Sequence, residues 1–337
     1  NDVELFRQEN IPLQTQQTKL TSEYDKLNGA MIVNFRGRDY TLQQLARFQE
    51  EPNRATRQQA WEAAEDRRRQ DRLKIEEIFE QLLALRGRIA ANADCVDYRA
   101  YTWKAYNRFD YTPQDCQDFA DAIQKTCMPV VEQLNDRRRR EMGLSIFRPW
   151  DLAVDPLARA PLRPFAEDQV DLFVQKTTEV FDRVSPALGK RFRELKPKRN
   201  LDLESRQGKR PGGYQSSLEL TREPFIFMNA AGLHRDVETL LHEGGHAFHY
   251  QAARDEPLVF LRHAPIEFCE VASMSMELLG DDHMEVFYSP AEAARAKRKH
   301  LEDIIRLLPW IATIDQYQHW LYTHPNHTAE QRGKAWL

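Results

Sequence analysis

The stretch Val237-Glu238-Thr239-Leu240-Leu241-His242-Glu243-Gly244-Gly245-His246-Ala247-Phe248-His249 decides how this chain is read. Val237, Leu240, Leu241 and Phe248 recur at helical spacing, Gly232 closes the preceding segment, and Asp236 can cap the first turn, so a helix is expected from Val237 to about Ala253. On a helix, His242 and His246 point the same way one turn apart, and both imidazoles can reach one metal ion. Glu243 between them is angled to take a proton from water rather than to ligate the metal. Gly244 and Gly245 each cost roughly 1 kcal/mol against alanine inside a helix. Something must approach the helix there, and a substrate or an edge strand is the expected neighbour.

A catalytic zinc site needs a third protein ligand and one open position. Downstream, Glu256, Glu267, Glu270 and Glu277 could supply it. Glu256 precedes Pro257 in a loop, and Glu267 follows Pro265 in a first turn, where a glutamate merely complements the helix dipole. Glu270 lies one turn deeper among small and apolar residues, where a carboxylate needs a partner, and is taken as the third ligand. Glu277 is read as the solvated end of that helix. Cys269 is read as a buried structural thiol.

Ahead of the motif, Leu201-Asp202-Leu203 and Leu218-Glu219-Leu220 alternate as strands do, and Pro224 to Asn229 is a short apolar run. Gly208, Gly212 and Gly213 lie between them in a close-approach loop. A small sheet beside the metal helix would offer backbone groups to an extended peptide. Tyr214, Phe227 and Asn229 are the expected substrate contacts.

Taken together, Gly208-Lys209-Arg210-Pro211-Gly212-Gly213-Tyr214, Pro224 to Asn229, Arg235-Asp236-Val237, the motif through His249, Glu270-Val271-Ala272-Ser273 and Gln318 to Pro325 resemble oligoendopeptidase F. That enzyme belongs to the thimet oligopeptidase and neurolysin family of zinc metallopeptidases. The resemblance implies a mainly α, helical zincin (neurolysin-like) catalytic domain with a small β-sheet beside the metal helix. It implies one zinc ion per chain on His242, His246 and Glu270, with Glu243 as general base. It also implies internal cleavage of short unstructured peptides in a channel between helical walls. Two similar activities stay open, a zinc carboxypeptidase or dipeptidyl carboxypeptidase, as does a non-catalytic zinc-binding fragment. The resemblance runs from about Asn53 to Leu337. Residues 1–52 are then expected to be a remnant of an N-terminal region, and 53–337 a C-terminally incomplete catalytic domain. Relatives continue into helices whose tyrosine and histidine donate to the oxyanion. Here Tyr317, His319, Tyr322, His324 and His327 are expected to pack and cap instead.

The 337 residues are 41% hydrophobic, with a net charge of −4 and no basic excess that would suit nucleic acid. There is no signal-like start and no apolar run long enough for a membrane span, and four unpaired cysteines suit reduced thiols, so a cytoplasmic enzyme is expected. Helices are expected over 56–91, from Thr112 to about Arg140, and from Glu167 to about Val184. A hairpin is expected around Gly37, and an irregular connection from Phe147 to Pro164.

Overall fold

The computed structural model describes residues 1–337. The protein is mainly α-helical, with one two-stranded and one three-stranded sheet. It contains two compact units, one made of Asn1–Tyr24, Asp71–Ser145 and His300–Leu337 and the other of Asp25–Gln70 and Ile146–Lys299. No helix is long and apolar enough to cross a membrane.

Two long periodic stretches break where one helix was expected. The first divides at Asp71 into Arg54–Gln70 and Arg72–Asn92. The second divides at Cys127 into Pro113–Thr126 and Met128–Glu141, because Pro129 has no N–H to continue the ladder. Apolar spacing survives a one-residue break, so the pattern alone does not register it. In the first unit the aromatic and histidine residues near the C-terminus do pack and cap. Arg86 donates to the Tyr322 hydroxyl at 2.5 Å, Trp320 stacks on His324, and His324 and His327 donate from Nδ1 to the carbonyls of Trp320 and His324.

The second unit opens with a hairpin, β1 (Ile32–Phe35) against β2 (Arg38–Thr41). Its two turn residues, Arg36 and Gly37, have φ of 53° and 81°, the left-handed pair that matches the strand twist. Val33, Phe35 and Tyr40 pack with Leu45 and Ala60. The three-stranded sheet has the order β3 (Leu201–Glu204), β5 (Glu223–Ala230), β4 (Tyr214–Leu218), with β3 parallel and β4 antiparallel to β5. The alternation at Leu218-Glu219-Leu220 therefore misplaces the strand. Leu218 ends β4, and the chain turns back through Arg222 at φ 55°, whose amide donates to the Leu218 carbonyl. Central β5 feeds through Gly232 into the helix His234–Ala253, here the motif helix. A loop then leads to the helix Ile266–Asp281, here the glutamate helix. Val237, Leu240, Leu241, Ala247 and Phe248 of the motif helix are buried with Phe173, Phe181, Ile226 and Met228 in one large core.

The helix expected from Glu167 begins at Val170. Glu167 is instead held by Gln44 and Arg47, at 2.7 and 3.0 Å, so a tertiary contact takes the residue expected to open the helix.

Asp151 is fully buried beside Arg57, itself 2% exposed, and its two oxygens accept from Arg57 and Arg54 at 2.8 to 3.0 Å. Burial alone pushes this carboxyl up, but the hydrogen bonds from Arg54, Arg57 and the Arg148 amide hold it below the ordinary carboxylate range. Its stabilising contribution is therefore full above the unfolded value and is lost as pH falls through the lowered folded value. Asp151→Ala leaves Arg57 charged in the interior with only the carbonyls of Trp150, Glu51 and Pro52 as partners and no counter-charge, and should cost about 3–5 kcal/mol in denaturant unfolding at neutral pH. A loss within about 0.5 kcal/mol, as expected of a surface change, would show that the pair is not a structural tie.

Candidate metal centre

The motif helix brings His242 and His246 together as the four-residue spacing requires, and the glutamate helix brings Glu270 to them. His242 Nε2 lies 3.1 Å from His246 Nε2 and 3.3 Å from Glu270 Oε2, and His246 Nε2 lies 3.6 Å from Glu270 Oε2. A tetrahedral ion with ligand bonds of about 2.0–2.1 Å needs donors about 3.3 Å apart. The three atoms form one triangular face of such a tetrahedron.

The proton positions also fit a metal. His242 Nδ1 donates to Glu277 Oε1 at 2.6 Å, and His246 hydrogen-bonds the Cys269 backbone carbonyl. Both acceptors hold the ring proton on the far nitrogen, so the two Nε2 lone pairs face each other and a carboxylate oxygen. Burial lowers the His242 imidazole, but Glu277, Glu243 and Glu270 together lift it above its ordinary value. The surroundings favour positive charge there. Burial, helped by the His242 and His249 imidazoles, depresses His246 in spite of Glu270, which favours the neutral ring that a metal needs. Ser273, fully buried, donates to Glu270 Oε2 at 2.9 Å and fixes that carboxylate.

A second cluster, Cys116, Asp315 and His319 in the first unit, has metal-ligating side chains at similar range. Arg99 Nη1 donates to His319 Nδ1 at 3.3 Å, and a guanidinium has no acceptor. The His319 proton is then fixed on Nε2, facing Asp315 Oδ2 at 3.3 Å, so a metal there would have to displace it and leave an anionic ring. The first cluster fits an ion; this one is a hydrogen-bonded chain.

Glu277 is not the solvated residue that its place two turns beyond Glu270 suggested. The glutamate helix crosses the motif helix closely enough for Glu277 to meet His242 from behind, which no spacing within one helix can reveal. The glycines allow this crossing. A Cβ on Gly245 would sit 2.6 Å from Ser273 Cα and 2.7 Å from the Ala272 carbonyl oxygen, and one on Gly244 would sit 2.5 Å from the ring of buried Phe181. Neither glycine faces a substrate or a strand; they admit a helix and a phenyl ring. It is Gly213, at the start of the edge strand β4, that approaches the motif helix, beside Thr239 and Glu243.

Glu243 is only 5% exposed, and burial pushes its carboxyl up to about 7 despite the pull of His242. The Gln215 amide of β4 donates to it, while Oε2 has no partner. The cavity in front of it, about 320 Å³, is lined by Gly213, by Tyr214, Gln215 and Ser217 of β4, by the motif helix from His242 to Tyr250, and by the loop and glutamate helix from Arg262 to Glu270. Cys269 lines this cavity too, with its Sγ 3.5 Å from the Ala264 carbonyl oxygen.

Of the expected substrate contacts, Tyr214 lines the cavity and stacks on Phe227, with centroids 4.8 Å apart. Phe227 and Asn229 do not line it. Asn229 donates to the carbonyls of Arg210 and Gly212, and Lys209 donates to those of Asp202, Glu204 and Met228. The glycine loop is thus pinned to the sheet from both sides, which sets Gly213 and Gln215 against Glu243. A loop so rich in glycine must be tied down if it is to hold a backbone donor in place.

The profile of Peptidase family M3 matches residues 47–337. The chain belongs to that family. Among curated members it is 26% identical to the chromosomal oligoendopeptidase F of Lactococcus lactis subsp. cremoris over 151 residues, 44% of this chain and 24% of that protein. Among solved structures it matches PZ peptidase A with an inhibitor at TM-score 0.94 and 29% identity, covering 99% of this chain and 59% of that one. A Bacillus anthracis str. Ames protein assigned as oligoendopeptidase F gives TM-score 0.94 and 26% identity, covering 99% of this chain and 61% of that one. The chain thus spans about three fifths of the structures it resembles. The resemblance to oligoendopeptidase F and the helical fold read from the sequence agree with these comparisons.

Two substitutions probe the centre. Gly245→Ala gains about 1 kcal/mol of helix propensity but forces the two helices apart, so the net effect should be destabilising, with weaker metal binding. Unchanged metal affinity would show that the crossing does not set the ligand triangle. Glu277→Gln should weaken zinc binding about 10- to 100-fold in a competitive chelator titration, and wild-type affinity would remove Glu277 from the site.

Proposed function

We propose that this chain is a zinc-dependent endopeptidase acting on short unstructured peptides. The observation that carries the reading is the triangle of His242, His246 and Glu270 donor atoms beside a buried Glu243 that lines the same cavity. Zinc held by those three side chains would supply the Lewis acidity that polarises a peptide carbonyl and acidifies water.

The chain's own residues do the rest. Glu243 takes a proton from the attacking water and later delivers it to the leaving amine. Its burial makes it a stronger base than an exposed glutamate, and the Gln215 amide fixes the oxygen that is not engaged in transfer. Glu277 and the Cys269 carbonyl orient the two imidazoles. The free edge of β4 offers main-chain groups to an extended peptide, and Tyr214 flanks it. An extended, unfolded substrate is what a strand edge beside a cavity can take.

Hydrolysis of a quenched-fluorescence peptide of about nine residues tests the reading. With zinc bound, Glu243→Gln should lose at least about 10²-fold in kcat while retaining its metal, and a chelator should abolish turnover. Wild-type activity in Glu243→Gln would refute the assignment of the base. Stepwise release from the C-terminus, in place of internal cuts, would identify a carboxypeptidase instead.

A further inference from the structure

His249 extends the stripe of the motif helix. It stands three residues beyond His246 and seven beyond His242, on the same helical face, and it lines the same cavity. Its ring packs against Phe268 of the glutamate helix, with centroids 6.0 Å apart, so both packed helices fix its place. The cavity's other imidazoles are engaged: His242 with Glu277, His246 with the Cys269 carbonyl and His263 with Glu219. Half-buried His249 has no hydrogen-bond partner at either ring nitrogen.

An extended peptide seated on β4 satisfies only one of its two edges there. The groups of its other edge leave water and need partners of their own, because an unpaired buried amide or carbonyl is costly. A neutral imidazole carries one donor and one acceptor, the two functions that edge requires. No other imidazole lining the cavity is free to supply them.

We propose that His249 is a substrate-binding residue of the metal cavity, hydrogen-bonding the main chain of a bound peptide from the helix side while β4 holds its opposite edge. Its ligand is the peptide backbone, so the contact is indifferent to the substrate's side chains. The inference rests on the peptidase reading above.

The test is fluorescence anisotropy of labelled nine-residue peptides on the full chain, zinc-loaded and carrying Glu243→Gln so that nothing is cleaved. Adding His249→Ala should weaken binding about 3- to 10-fold, the range of one neutral hydrogen bond, by a similar factor for peptides rich in Phe, Lys or Glu. Bound zinc per chain should not change. His249→Gln, which keeps a donor and an acceptor, should recover part of the loss. Undiminished affinity in His249→Ala overturns the inference, as does a loss confined to one side-chain class or one that follows loss of zinc. Failure of the zinc-loaded parent to bind any peptide overturns it too. The two readings fail separately. Internal cleavage by wild type with an unchanged KM in His249→Ala removes only this contact, whereas His249-dependent binding without turnover in wild type removes only the peptidase reading.

Discussion

The close crossing of two helices governs this site. Gly245 lets the backbone of the glutamate helix come against the motif helix where a side chain would otherwise stand. That approach sets the distance from Glu270 to the two imidazoles, and it carries Glu277 behind His242. Two glycines in a helix interior are locally unfavourable by about 1 kcal/mol each. The packing they permit offsets that cost, since Phe181 and the Ser273 backbone fill the space that methyl groups would need.

The surroundings of the triangle serve the same geometry. Phe181, Phe192 and Phe248 pack edge-on within the large core and hold the motif helix in place. Sheet β3-β5-β4 braces it from another side, and the Lys209 and Asn229 clamps keep the glycine loop against the sheet. Carboxylates crowd one pair of imidazoles, so the local field invites a cation and at the same time raises the buried Glu243. Burial lowers His242 and raises Glu243, while the neighbouring carboxylates raise both.

Much of this was legible in the residues. The shared face of His242 and His246, with Glu243 between them, follows from a period of 3.6, whereas Glu270 was picked out as a carboxylate expected to be buried, and its side chain is 35% exposed beside exposed Phe268 and Val271. The hairpin at Arg36-Gly37 and the helix start at Thr112, which caps it, rest on turn and cap chemistry that acts over a few residues. Glu277 was misread because its partner is 35 residues away on another helix. Asn229 and Phe227 lie in the expected neighbourhood but hold the loop and Tyr214 rather than lining the cavity, since a side chain near a site reads alike in sequence whether it faces the cavity or the loop behind it. The helix breaks at Asp71 and Cys127 escaped because amphipathic spacing continues across them.

The sequence by itself determined the helical class, the shared face of His242 and His246 with Glu243 between them, and the resemblance to the family, all of which are local or periodic properties. Only the tertiary structure decided that three donor atoms lie at tetrahedral spacing, that the ring protons point away from them, and that the second cluster around His319 does not fit a metal. Those depend on where one helix crosses another and on which acceptor or donor stands behind each ring. Such distances are set by packing between segments far apart in the chain, which local periodicity does not encode.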